Sequence, residues 1–258
     1  SAEGALGRIR QSYRDGGLLH GEGADYVYGG KLPTVELAAE DYRRLARLAK
    51  AGTVTLEVDS QTRFHDEDSN AYNILADIPG SDPGAGYVMA GAHLDSWAAA
   101  DGAADNGAGC AMVMEAARIL SSLGVRPRRT IRFALWSGEE QGLLGSKAYI
   151  AQHVAARPAA PPGTTGLEDY FQIVQRFPIT PLADYPKLAG YFNLDNGSGR
   201  IRGIHAQGNL AAIPALEQLI APVHALGVDK VVAGNIDSTD HGLFAAVGLP
   251  AFQYIQGP

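Results

Sequence analysis

The alternation of short strand-like runs with apolar helical segments constrains this chain more than any other feature. Residues 54–58, 72–78, 87–90 and 130–136 are rich in β-branched and aromatic side chains and are bounded by Gly, Pro or Asp, which predicts strands. Further strands are expected at 188–194, 200–206, 230–233 and 251–255. Helices are expected between them, at 107–123, 143–153 and 213–226, with another at 39–51. In that last segment Tyr42, Leu45, Leu48 and Ala49 recur at helical spacing and Gly52 follows as a cap. Along 107–123 the polar Glu115 and Arg118 fall near one face, which leaves the apolar remainder to pack on a sheet. Such an order implies an α/β fold: a three-layer sandwich whose mixed, largely parallel central sheet carries helices on both faces.

Composition narrows the function classes. A chain of 258 residues, 46% hydrophobic and 19% charged with 32 glycines, suits a compact enzyme with many tight turns. The net charge is −7 and the longest basic cluster is Arg126, Arg128 and Arg129, so the footprint of a phosphate-backbone binder is missing and nucleic acid is not an expected partner. The single cysteine, Cys110, lies in an apolar helical run and reads as a buried, inert thiol. No run approaches the ~18 consecutive apolar residues of a membrane span. The opening Ser1-Ala2-Glu3-Gly4 has neither an initiator Met nor a signal-peptide pattern, so a mature or trimmed form is expected. Residues 1–33 are Gly-rich without a sustained period and read as an irregular N-terminal segment; 155–166 reads as a surface flap.

Four clusters of acids or histidine fall where predicted strands end: His93 with Asp95, Asp105-Asn106-Gly107, Glu139-Glu140, and Asp195-Asn196. In an open α/β sheet ligands bind beyond the carboxyl ends of the strands, so the four can meet in one crevice. Each cluster has a plainer explanation when taken alone. Asp105 can be a helix N-cap, His93 a buried histidine satisfied by Asp95, and the double Glu a solvated pair.

Together they are specific. The segments Gly91-Ala92-His93-Leu94-Asp95-Ser96, Asp105-Asn106-Gly107-Ala108-Gly109, the run from Trp136 through Glu139-Glu140 to Ser146, and Asn193-Leu194-Asp195 resemble, in order, the metal-site motifs of the di-zinc aminopeptidase family. The stretch from Tyr191 to Gly199 and Arg202-Gly203-Ile204 are most similar to its carboxypeptidase Q branch. The resemblance implies a zinc peptidase domain over 34–258, with 1–33 resembling the tail of a protease-associated domain. It makes His93 and Asp195 ligands of one zinc, Glu140 a ligand of a second, Asp105 the bridge, Glu139 the general base and Asp95 the supporting acid. It also implies a non-proline cis peptide after the bridging Asp105, and a fifth ligand, a His, beyond Gln256-Gly257-Pro258, which would leave the second metal short of a donor. His241, in Ser238-Thr239-Asp240-His241, resembles a segment that lines the pocket without ligating metal; His20, His65, His153, His205 and His224 match no ligand motif.

The function implied is a metal-dependent exopeptidase acting on short peptides or dipeptides, secreted or periplasmic, with a peptide as its partner and room for a homodimer. Two other readings share the resemblance: a peptidase-like binding domain that has lost catalysis, and a single-zinc glutaminyl cyclase. Retention of both Glu139 and Glu140 argues against the first, and the His93/Asp195 pair favours two metals over the second.

Overall fold

The computed structural model describes residues 4–12, 16, 33–61, 63, 67–68, 70–97, 100–164, 172–195 and 197–257. The chain divides into two compact units, Ser1–Asn70 and Ala71–Pro258. In the first, β1 (Arg8–Gln11) runs parallel to β2 (Thr34–Leu37), and Arg10 donates to the Glu36 carboxylate at 2.8 Å. Helix α1 (Ala39–Ala51) follows, as its periodicity predicts, with Glu40 and Asp41 in its first turn and Lys50 in its last, each favourable to the helix dipole. The Gly52 N–H closes it on the Leu48 carbonyl at 3.1 Å.

The second unit is built on a seven-stranded sheet. Its strands are β3 (Ile74–Ile78), β4 (Tyr87–His93), β5 (Thr130–Trp136), β8 (Leu188–Asn193), β9 (Ile201–His205), β10 (Lys230–Val232) and β11 (Ala251–Gln256), in the order β10-β9-β11-β8-β4-β5-β3. The four central strands β11, β8, β4 and β5 are mutually parallel, while β3 pairs antiparallel to β5 and β9 antiparallel to β11, with β10 parallel to β9. The expected mixed, largely parallel sheet is therefore present. A two-stranded ribbon of β6 (Ala155–Ala156) and β7 (Thr180–Pro181) lies apart from it.

Alternation along the strands sorts the core into two layers. Tyr87, Met89, Ala134, Trp136, Tyr191 and Ala251 pack under α3 (Leu144–Tyr149) and α5 (His241–Ala245). The interleaved residues Ala92, Phe133 and Leu135 pack under α2 (Ala108–Ser122), and Ile204 and Phe252 under α4 (Ile213–Ile220). Burial on both faces explains why the central strands read as nearly continuous apolar runs.

Several local expectations are corrected. Residues 54–58 form no strand: no sheet takes them up, Leu56 and Val58 stay half exposed, and strand propensity does not act without a pairing partner. The helix expected over 143–153 is α for Leu144–Tyr149 and then widens to a π-type turn over Ile150–Val154. That expected over 213–226 tightens to a 3₁₀ segment over Ala221–Leu226, where Pro222 cannot continue the α hydrogen-bond ladder. Helix α5, five residues long, was too short to show a period. The 155–166 segment begins as strand β6 with Ala155 buried. His20, His65, Asn196 and most of residues 1–33 lie outside the described residues.

Candidate metal centre

The parallel centre of the sheet brings the predicted clusters to one edge. His93 is the last residue of β4, Asp195 lies two residues beyond the end of β8, and Glu139-Glu140 follow β5. Asp105 reaches the same place from the turn Ala103–Gly107 that opens α2. The Asp105–Asn106 peptide is cis, as the resemblance implies. Asn106 is buried and ties this turn down: its Nδ2 donates to the Leu194 carbonyl at 2.9 Å, and its Oδ1 accepts from the Gly109 N–H at 3.1 Å. A Cβ at Gly109 would lie 2.2 Å from that Oδ1 and 2.5 Å from the Leu194 carbonyl oxygen, so this close approach of α2 to β8 requires glycine.

His93 is buried, and its ring is oriented from both sides. Nδ1–H donates to the Asp95 carbonyl at 2.9 Å, which directs Nε2 towards Asp105 Oδ1 at 2.9 Å and Asp195 Oδ1 at 3.2 Å. This second-nitrogen contact fixes the tautomer that leaves Nε2 as a ligand atom. The Asp95 carboxylate stands 3.7 Å from Nδ1 and has a different main task. Its Oδ1 accepts the Glu139 N–H at 3.0 Å and its Oδ2 the Glu140 N–H at 3.2 Å. One carboxylate thus holds the turn from which two adjacent acids leave in different directions.

Two sets of donor atoms lie within 4.8 Å of one another: His93 with Asp105 and Asp195, and His93 with Glu139 and Glu140. Electrostatics mark the cluster as crowded. Burial pushes the Glu139 carboxyl up to about 9. Burial, then the charge of Asp105, pushes Glu140 up to about 7. Burial opposes the charge on His93, but hydrogen bonds to Asp105, Asp195 and Asp95 outweigh it and raise that pKa far above the ordinary value. Burial also opposes ionisation of Asp95, yet His93 and the two backbone N–H groups hold its carboxyl below the usual range.

The donor set fits zinc. Imidazole and carboxylates are ordinary zinc ligands, and Glu140 Oε1 is buried with no hydrogen-bond partner among the described residues, an orphan that a cation would satisfy. A dication also removes the mutual repulsion of the carboxylates.

The cleft over these groups has a volume of about 350 Å³ and is also walled by Ile236, Asp237, Ser238 and Thr239. His241 is not among the donors. It is buried behind that wall, where Nε2 meets the Ile236 carbonyl at 2.9 Å. Beneath the cleft runs a buried polar chain. Trp136 Nε1–H donates to the Tyr191 hydroxyl at 2.7 Å, which donates to Asn193 Oδ1. Asn193 Nδ2 donates to Thr239 Oγ1 at 3.0 Å and to Gln253 Oε1 at 2.8 Å. The resemblance marks Ser238–His241 as a pocket-lining segment but gives Thr239 and Asp240 no role of their own. Their signal was the polar run Ser238–His241 before a short apolar segment, and that run alone does not distinguish a pocket wall from a helix start.

Fold and site together have the form of a metallopeptidase catalytic domain. The profile of peptidase family M28 matches residues 73–258, and the chain belongs to that family. Carboxypeptidase Q of Rattus norvegicus is 36% identical over 223 residues, covering 85% of this chain and 40% of the relative. Leupeptin-inactivating enzyme 1 of Streptomyces exfoliatus is 32% identical over 216 residues, covering 83% of this chain and 41% of that protein. The chain therefore spans less than half the length of these relatives. Among solved structures, a peptidase M28 precursor from Shewanella amazonensis superposes with a TM-score of 0.64 at 26% identity, covering 98% of this chain and 52% of that one. A zinc aminopeptidase from Bacillus subtilis shares the fold, with a TM-score of 0.61 at 22% identity, covering 99% and 55% of the two chains. No helix among the described residues is long and apolar enough to cross a membrane.

Proposed function

We propose that this chain carries the catalytic centre of a zinc-dependent exopeptidase that cleaves terminal bonds of short peptides or dipeptides. The observation that carries the reading is the meeting of five donors at one cleft: His93, Glu139, Glu140 and Asp195 from the ends of β4, β5 and β8, and Asp105 from the turn that opens α2. His93 and Asp195 would hold one zinc, Glu140 a second, and Asp105 would lie between them. Zinc bound there supplies Lewis acidity that polarises a peptide carbonyl and makes water a better acid.

The rest of the work falls to the chain. Glu139 is buried, adjacent to a ligand and held through its backbone by Asp95, which suits a base of defined position. It accepts a proton from the water whose oxygen bonds to the carbonyl carbon. When the C–N bond breaks, Glu139 returns the proton to the leaving amine. The segment from Ile236 to Thr239 lines the same cleft, whose volume suits a terminal residue better than an extended chain. Export from the cytoplasm is part of the proposal and rests on the similarity to carboxypeptidase Q.

The test is hydrolysis of a dipeptide library by the zinc-loaded chain, followed by chelation. Activity lost to the chelator and restored by zinc is expected. Turnover that persists in the fully chelated chain would remove the metal from the proposal, and no hydrolysis of any free-ended peptide at full zinc occupancy would remove the peptidase reading.

A further inference from the structure

Asp240 belongs to neither donor group, and hydrolysis as described makes no use of it. It is wholly buried where the start of α5 meets α3. One carboxylate oxygen accepts the Ser146 hydroxyl; the other, Oδ2, is buried with no hydrogen-bond partner among the described residues. The side chain does not cap α5, although it stands at the N-cap position. Burying a carboxylate without a cation is costly, and a neutral residue of the same shape would be the stable choice here.

Its surroundings give the charge a purpose. Asp240 feels the charges of His93, Asp195 and Asp95, and its own charge bears on Glu139. The preceding residue, Thr239, lines the cleft and accepts from Asn193, two residues before Asp195. Asp240 therefore sits behind the cleft wall, within electrostatic reach of the donors yet hydrogen-bonded to none of them among the described residues. Before cations bind, another anion beside four carboxylates is unfavourable; once dications occupy the cleft, the same anion is attracted to them.

We infer that Asp240 is a buried counter-charge for the metal centre, a positioning residue outside the coordination sphere that strengthens cation binding; the inference rests on the zinc reading above. The chain accepts a less stable metal-free state in return for a tighter metal-bound one. A residue kept only for packing would instead support both states alike.

Asp240→Asn tests this directly, because the amide keeps the shape and still accepts the Ser146 hydroxyl. Burial pushes the Asp240 carboxyl up to about 7, so the comparison is made at pH 8. Zinc affinity is read by competition with a chromophoric chelator, and thermal unfolding is followed with and without zinc. The expected result is zinc binding weakened about tenfold or more, with a metal-free Tm no lower than that of the unaltered chain. Ser146→Ala keeps the charge and removes the hydroxyl, and its zinc affinity should stay within about threefold of the unaltered chain.

Unchanged zinc affinity in Asp240→Asn overturns the inference. So does a metal-free variant that melts lower or does not fold, since the carboxylate is then structural. An equal loss of affinity in Ser146→Ala assigns the effect to the hydrogen bond and overturns it as well. An unaltered chain that takes up no zinc removes the zinc reading itself, which these outcomes leave distinguishable.

Discussion

Asp95 accounts for how two neighbouring acids keep separate roles. Its two oxygens each hold one backbone N–H of the Glu139-Glu140 turn, so the side chains diverge from a clamped backbone. Glu139→Gln should leave fold and zinc content unchanged and lower kcat by about 10² or more, because the amide cannot take the proton. Steady-state kinetics at measured zinc occupancy check it, and full turnover would exclude Glu139 as the base. The polar chain below the cleft makes a different demand. Tyr191 receives the Trp136 indole N–H and donates to Asn193, and all three are buried. Tyr191→Phe leaves two buried partners unsatisfied and should cost about 1–3 kcal/mol in urea unfolding. A loss below a few tenths would mean that water replaces the hydroxyl.

The elements differ in how plainly the sequence announced them. β5 was readable to its end residues because burial on both faces makes Ile131, Phe133 and Leu135 alternate with Ala134 and Trp136 in one apolar run between turn signals. Helix α2 was readable because it is long and apolar, with no proline inside. Residues 54–58 misled because β-branched composition says nothing about whether a neighbour exists. The donors were legible as types at strand ends, and the family resemblance gave them roles. The wall from Ile236 to Thr239 was legible only through the resemblance of Ser238–His241 to a pocket-lining segment, because its position depends on tertiary contacts, among them Asn193 on Thr239. Gly109 shows the same dependence. The backbone at that position is helical and tolerates any residue, yet the approach of Asn106 and Leu194 excludes a methyl group. Gly109→Ala should destabilise the chain by about 1–3 kcal/mol and weaken zinc binding through displacement of the Asp105 turn. Denaturation and zinc titration of the variant check both effects, and unchanged zinc affinity would mean that the turn relaxes independently of α2.

At the scale of the molecule, the order of strands decides when a site can exist. His93 and Asp195 are 102 residues apart in the chain and meet only because β4 lies between β5 and β8. Zinc capture is therefore a clock on assembly: helices form in about 0.1–1 μs, whereas the donors converge only after the non-local strands have paired. In stopped-flow refolding with a fluorescent zinc indicator, metal uptake should lag the far-ultraviolet circular dichroism signal and coincide with burial of Trp136. Uptake as early as helix formation would mean that the donors gather before the sheet does. A cell making such a chain would meet the same delay, so zinc would reach the site only after the middle of the sheet had closed and would report the end of folding rather than begin it.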